Sequence, residues 1–209
     1  MGEIKAILFD VGGVLLTNGW DHAERAAVLA HFSVDRGAYE LRHEPVNDAW
    51  EKGFMTAEQF LERTVFFEPR PFTPAEFLEE MKAQSKALPG GALRILGELR
   101  ASDGLELMAL NNESRELNEY RIEQFELHRY FRAFLSSCYL GLRKPDPAIF
   151  KLALNVLQRQ PKEVIFVDDR QANCDRAASL GIHGICYQNE EQFVSELGRF
   201  GLLSSAQPA

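Results

Sequence analysis

The chain has 209 residues, 45% of them hydrophobic and 26% charged, with a formal net charge of −8. That length supports one good hydrophobic core, or a core domain with a small satellite, in the composition range of a globular protein. The acidic excess speaks against a nucleic-acid partner, whose phosphates it repels, and no apolar run is long enough to span a bilayer.

The first residues lack a basic stretch followed by an apolar signal core. Gly2 does not start a myristoylation motif, because Ala6 stands where Ser or Thr is needed. Cys138, Cys174 and Cys186 are scattered and odd in number, which reads as reduced thiols in a cytoplasmic protein. The tail 204–209 is small and polar and is expected to fray.

In chain order, the apolar run 4–9 ends at Asp10 and enters Gly12-Gly13. A strand that stops at an acid and runs into glycines suggests a buried parallel strand with a site at its carboxyl end. From about Trp20 to Leu88 only helical patterns follow, over 23–32, 39–50, 57–65 and 74–88. Thr56 precedes a capping box, and Thr73-Pro74 places a cap before a proline at the first helical position. This helical insert closes at Pro89-Gly90-Gly91.

Beyond Gly91 strands and helices alternate. Helices are expected over 92–101, 113–125, 147–157, 171–180 and 190–197, and strands over 105–110, 133–137, 164–167 and 183–187. Alternation predicts right-handed crossovers and an α/β fold with a doubly wound, mostly parallel sheet. Ligands of such sheets sit beyond the carboxyl ends of the strands. The expected division is a core of residues 1–18 and 89–209, with residues 19–88 as a helical cap.

Four strand ends or loops carry reactive groups: Asp10, Asn111-Asn112, Lys144 and Asp168-Asp169. Each has a bland reading, as a turn residue, a loop amide, a surface lysine or a helix cap. All four after strands, in order along an alternating chain, are harder to dismiss. Three carboxylates near one point repel unless a cation neutralises them. Oxygen donors without a His or Cys cluster point to a hard ion, Mg²⁺. A lysine and amides beside that ion suit a phosphoryl group, and an Asp can be the nucleophile.

At these residues the sequence resembles the haloacid dehalogenase-like hydrolase superfamily, in its phosphatase branch with an α-helical cap of the first type. The resemblance rests on Phe9-Asp10-Val11-Gly12-Gly13-Val14-Leu15, on Lys144-Pro145-Asp146-Pro147-Ala148-Ile149-Phe150, and on Val167-Asp168-Asp169-Arg170 followed by Asn173, Ala177 and Gly181. It implies a Rossmann-like core and a Mg²⁺-dependent hydrolase of a small phosphorylated metabolite, acting as monomer or homodimer. Asp10 would attack phosphorus and bind Mg²⁺, with the Gly12 carbonyl, Asp169 and Asp168 as further ligands. Lys144 would neutralise charge on Asp10 and the phosphoryl oxygens. Asn111 would stand for the second motif's Ser/Thr, with Asn112, Gly12 and Gly13 also facing the phosphate.

Two departures follow. Family phosphatases carry a second Asp two residues after the nucleophile, where this chain has Gly12, and the usual Ser/Thr is Asn111. A missing general acid costs on the order of 10²–10⁴ in rate, so good leaving groups such as sugar 1-phosphates are expected. His43, Glu44 or Glu113 could instead supply the proton, and Trp50 and Phe54 could line the pocket. The bland reading of His43 is a solvated helix-end histidine. The alternatives are a 2-haloacid dehalogenase-like hydrolase, which needs no metal, and a catalytically weak phosphometabolite-binding protein. A response-regulator receiver has its acid pair first, the reverse of the order here.

Overall fold

The computed structural model describes residues 3–102 and 104–203; the expectations for Gly2 and for the tail lie outside them. Five strands form one parallel sheet in the order β3-β2-β1-β4-β5. They are β1 (Ala6–Phe9), β2 (Glu106–Ala109), β3 (Ala133–Phe134), β4 (Val164–Asp168) and β5 (His183–Cys186). The chain steps from β1 through β2 to β3, then returns to the other side of β1 for β4. The switch point therefore lies at the carboxyl end of β1, where a doubly wound sheet opens a crevice.

Strand periodicity sorts the side chains onto two faces. Ile7 and Phe9 join one apolar cluster with Ile95, Leu96 and Leu99 of α5 (Leu93–Arg100) and Phe193 and Leu197 of α10 (Glu190–Arg199). Ala6 and Leu8 join the other, with Ile149, Phe150 and Ala153 of α8 (Pro147–Leu157) and Ala177 of α9 (Gln171–Ser179). All of β1 is buried because both faces are covered.

Between β1 and β2 come α1 (His22–His31), α2 (Arg36–Glu51), α3 (Ala57–Thr64) and α4 (Pro74–Ala83). They bury a cluster of their own, built on Trp20, Tyr39, Trp50, Phe60 and Phe77. Leu117 of α6 (Arg115–Gln124) completes that cluster from the other side of the chain. The predicted capping box at Thr56 and the predicted cap at Thr73 are both formed, and Thr73 makes a capping box with Glu76 as well.

Some expectations need correction. Helix α4 ends at Ala83 rather than at Leu88. The next residues are taken by backbone pairing with the outgoing chain: Thr17 N–H donates to Lys86 O at 2.9 Å and Leu88 N–H to Leu15 O at 3.1 Å. The regular part of β3 stops at Phe134, and Ser137–Leu140 turns into a short helix, α7. The Ser137 hydroxyl donates to Glu51 O at 2.6 Å, which ties α7 to the end of α2.

Candidate active site

Asp10 follows β1, and its Oδ1 accepts the Val11 N–H at 2.8 Å. The chain then folds into a tight loop in which Gly13 N–H donates to Leu16 O at 2.8 Å. Gly13 has φ +69°, and a Cβ there would stand 2.1 Å from Asp169 Oδ2, so only glycine lets this backbone lie against that carboxylate. Gly12 has no such conformational demand. A Cβ there would lie 3.0 Å from Asn18 Oδ1.

Lys144 is brought in from the loop before α8. Asp146 caps that helix by accepting the Ala148 N–H, and Pro147 occupies its first turn. Asn112 pins the loop, since its Nδ2 donates to Lys144 O at 2.9 Å and its Oδ1 accepts the Lys144 N–H at 2.8 Å. The buried ammonium then lies 3.0 Å from Asp10 Oδ2 and 2.6 Å from Asp168 Oδ2. Asp168, wholly buried at the end of β4, also accepts from Asn173 Nδ2 at 2.9 and 3.0 Å and from Arg170 N–H at 2.8 Å.

One oxygen from each of Asp10, Asp168 and Asp169 lies within 4.8 Å of the others. Burial pushes the Asp10 carboxyl up to about 8; Lys144 pulls it down, while Asp168 and Asp169 raise it. Burial and then Asp168 also raise Asp169. Burial works against the charge of Lys144, but Asp10 and Asp168 hold it above the ordinary lysine value. Burial likewise opposes ionisation of Asp168, yet Lys144 and Asn173 bring it below the usual carboxylate range.

This donor set fits a hard divalent cation. It is all oxygen, it holds more acid than Lys144 can offset, and Asp169 Oδ1 is buried without a hydrogen-bond partner. An orphaned acceptor of that kind costs stability until a ligand meets it.

The structure thus brings Asp10, Gly12, Gly13, Lys144, Asp168 and Asp169 together, with Asn112 beside Lys144. Asn111 falls elsewhere. Its Nδ2 donates to Asn118 Oδ1 at 3.0 Å and its Oδ1 accepts from the Ser136 hydroxyl at 2.7 Å, so its amide is spent inside the protein. The expectation for Asn111 is corrected: it does not line the cavity as Asn112 does, and the Asn112 amide is itself engaged at both ends by Lys144.

That cavity, of about 500 Å³, runs from Asp10 and Gly12 to a wall formed by α1 and α2. His43, Glu44, Glu113 and Trp50 all line it, whereas Phe54 is 72% exposed and lies outside it. His43 is buried, stacked on Tyr39 and edge-on to Phe60, rather than solvated. Burial, and after it Arg25, lowers its pKa to about 4. Glu113 is raised to about 7 by burial, against the pull of Arg121. Both its oxygens are engaged, one by Arg121 Nη1 at 2.8 Å and one by Ser114 N–H at 3.0 Å.

Sequence reasoning missed the wall's ion pairs and Asn18. Each lining arginine faces an acid: Arg25 with Glu40 at 2.9 Å, and Arg121 with Glu113, Arg143 with Glu51 and Arg170 with Asp21 at 2.8 Å. Asn18 Nδ2 donates to Asp169 Oδ2 at 3.4 Å. Its one sequence signal is the Asn-Gly turn pair at Asn18-Gly19, soon after the acid-glycine loop.

Among known families, the model described as haloacid dehalogenase-like hydrolase matches residues 4–181. The chain is 29% identical over 163 residues to Arabidopsis thaliana flavin mononucleotide hydrolase 1, covering 78% of this chain and 65% of that protein. It is 26% identical over 209 residues to the phosphoglycolate phosphatase of Nitrosospira multiformis, covering 93% and 88%. It spans only 19% and 13% of some other matched relatives, which are much longer. A HAD family enzyme of Bacteroides thetaiotaomicron superposes with TM-score 0.81 at 22% identity, covering 94% of this chain and 99% of that one. Its complex with magnesium and inorganic phosphate superposes with TM-score 0.73 at 23% identity, covering 89% and 95%. No helix among the described residues is long and apolar enough to cross a membrane.

Proposed function

We infer the reaction from one premise: the chain belongs to the haloacid dehalogenase-like hydrolase family. It is a hydrolase, and its proposed substrate is a small phosphomonoester, cleaved with Mg²⁺ through an aspartyl phosphate on Asp10. The observation that carries this reading is the convergence of Asp10, Asp168 and Asp169 around one point, with Lys144 on two of the three. The phosphatase relatives and the neighbour's complex with magnesium and inorganic phosphate support it. The proposed division is a core of 1–18 and 89–209 and a cap of 19–88.

Asp10, Asp169, Asp168 and the Gly12 carbonyl would hold the cation. When bound, it offsets the acids and draws electron density from the phosphoryl oxygens. Lys144 and the Gly12 N–H would position the phosphate, since the Val11 N–H is given to Asp10 and the Gly13 N–H to Leu16, while Asn112 holds the Lys144 loop in place. An Asp10 oxygen attacks phosphorus, and the bond from phosphorus to the ester oxygen breaks. Because Gly12 carries no side chain, the departing alkoxide takes its proton from cavity water. A water oxygen then attacks the phosphorus of the aspartyl phosphate, freeing phosphate and restoring the Asp10 carboxylate. Neither His43, unprotonated at neutral pH, nor Glu113, with both oxygens bonded, is arranged to supply the missing acid. Rate should therefore depend steeply on leaving-group acidity.

A dehalogenase reading is disfavoured by the acid surplus, since an incoming carboxylate would meet Asp169 with its unpartnered oxygen. The test is hydrolysis of p-nitrophenyl phosphate and of 2-chloropropionate, with Mg²⁺ or with EDTA. Phosphate release that needs Mg²⁺ and drops at least about 10⁴-fold in Asp10→Asn supports the proposal. Release indifferent to EDTA or to that substitution refutes it, as does chloride release in its place.

A further inference from the structure

Gly12 leaves the loop after Asp10 bare, and Asn18 covers it. The Asn18 Oδ1 stands 3.0 Å from where a Cβ on Gly12 would sit and 2.9 Å from one on Gly13. Its Nδ2 donates to Asp169 Oδ2 at 3.4 Å. A carboxylate accepts and does not donate, so the nitrogen belongs on Asp169 and the oxygen over the glycines. Among the described residues no donor meets that oxygen. Asn18 is half-buried and lines the Asp10 end of the cavity with Gly12, so this acceptor is within reach of water. The backbone around it is pinned. Thr17 N–H donates to Lys86 O at 2.9 Å, and Thr17 O accepts from Arg121 Nη2. Asn18 N–H donates to Glu24 Oε1 at 3.2 Å, and Trp20 O accepts from Arg25 Nη1 at 2.8 Å. Both arginines are buried. An acceptor fixed in this way can hold a reacting water in one place.

We propose that Asn18 is a positioning residue acting through water: its Oδ1 holds the molecule that protonates the leaving alkoxide and then hydrolyses the aspartyl phosphate. This rests on the phosphatase reading and answers the lack of a side chain at Gly12. The water donates one hydrogen to Asn18 Oδ1, which leaves the other for the leaving oxygen. As the bond from phosphorus to the ester oxygen breaks, the alkoxide takes that second proton. The products are the alcohol and a hydroxide still hydrogen-bonded to Oδ1. The hydroxide attacks the phosphorus of the aspartyl phosphate, and the bond to Asp10 breaks. Hydrogen phosphate and the Asp10 carboxylate result. Asn18 orders the water and gives up no proton of its own.

The experiment compares phenyl phosphate with p-nitrophenyl phosphate at saturating Mg²⁺, in the wild type, Asn18→Ala and Asn18→Asp. The two esters are similar in shape, but phenoxide needs a proton far more than p-nitrophenolate does. Single-turnover release, with enzyme in excess, reports the first step, and acid-quenched phosphoenzyme reports the second. In Asn18→Ala, phenol release should slow about 10-fold or more, while p-nitrophenolate release changes less than about 2-fold. Phosphoenzyme breakdown should slow about 10-fold whichever ester formed it. Asn18→Asp keeps an acceptor oxygen and loses the donor to Asp169, so its phenol release should stay within about 3-fold of the wild type. Calorimetry should find the Mg²⁺ affinity of Asn18→Ala within about 3-fold of the wild type, because the contact to Asp169 is long. Equal slowing with both esters, or none with either, overturns this inference alone. So does an Asn18→Asp as slow as Asn18→Ala, or a Mg²⁺ affinity lost with the amide, since either assigns the effect to Asp169. Failure of the wild type to release product from either ester overturns the phosphatase reading and this inference with it.

Discussion

The sheet edge and the helical wall face each other across one cavity and handle charge in opposite ways. At the edge, Asp10 and Asp168 share the ammonium of Lys144, and beside them one Asp169 oxygen stays unpartnered. Elsewhere in the lining, each arginine, Arg25 of the wall and Arg121, Arg143 and Arg170 of the facing elements, has a carboxylate beside it. The edge carries more acid than Lys144 offsets, whereas each arginine elsewhere in the lining has an acid beside it. Unbalanced buried charge marks the end of the cavity where ionic chemistry is proposed.

Removing the ammonium that Asp10 and Asp168 share should break the contrast most. Lys144→Met leaves Asp168, which is 0% exposed, without its counter-ion and should cost about 3–5 kcal/mol of stability. Thermal unfolding measures it, and adding Asp168→Asn should recover part of the loss. If Lys144→Met unfolds like the wild type, the edge is not charge-limited.

A smaller effect sharpens the picture of the edge. Asn18 Oδ1 stands 3.0 Å from where a residue-12 Cβ would sit. Gly12→Asp alone should therefore do little for alkyl phosphates, while Gly12→Asp with Asn18→Ala should raise their turnover by about 10²-fold. Equal rates in the two variants would show that Asn18 does not occupy the acid's place.

The smallest effect concerns the wall. His43 is lowered from 6.5 to about 4, chiefly by burial. Between those values the unfolded chain takes up a proton that the folded chain refuses, so stability is lost as pH falls through that window. His43→Gln should lose less on going from pH 7 to pH 5, by about 1 kcal/mol or about 2–4 °C in Tm. A pH response unchanged by that substitution would mean that His43 is not held neutral by the wall.

Much of this was legible in the chain because it is written locally. Apolar runs ending in Asp10 and Asp168 mark buried strands and their carboxyl ends, and Thr56 and Thr73 announce helix starts. The end of α4 was not legible, because residues beyond Ala83 pair with Leu15 and Thr17, which are far away in sequence. Asn111 and Asn112 are adjacent and chemically identical, so only the turn after β2 decides which one faces the cavity. The wall's ion pairs join separate elements and leave no pattern along the chain.

The account's central claim is that Asp10, Asp168 and Asp169 form one divalent-cation site. Calorimetric titration of Mg²⁺ into the wild type and Asp169→Asn at pH 7 tests it most directly. The account predicts one binding site in the wild type and a loss of at least about tenfold in affinity in the variant. No binding to the wild type, or equal binding to both, would contradict it.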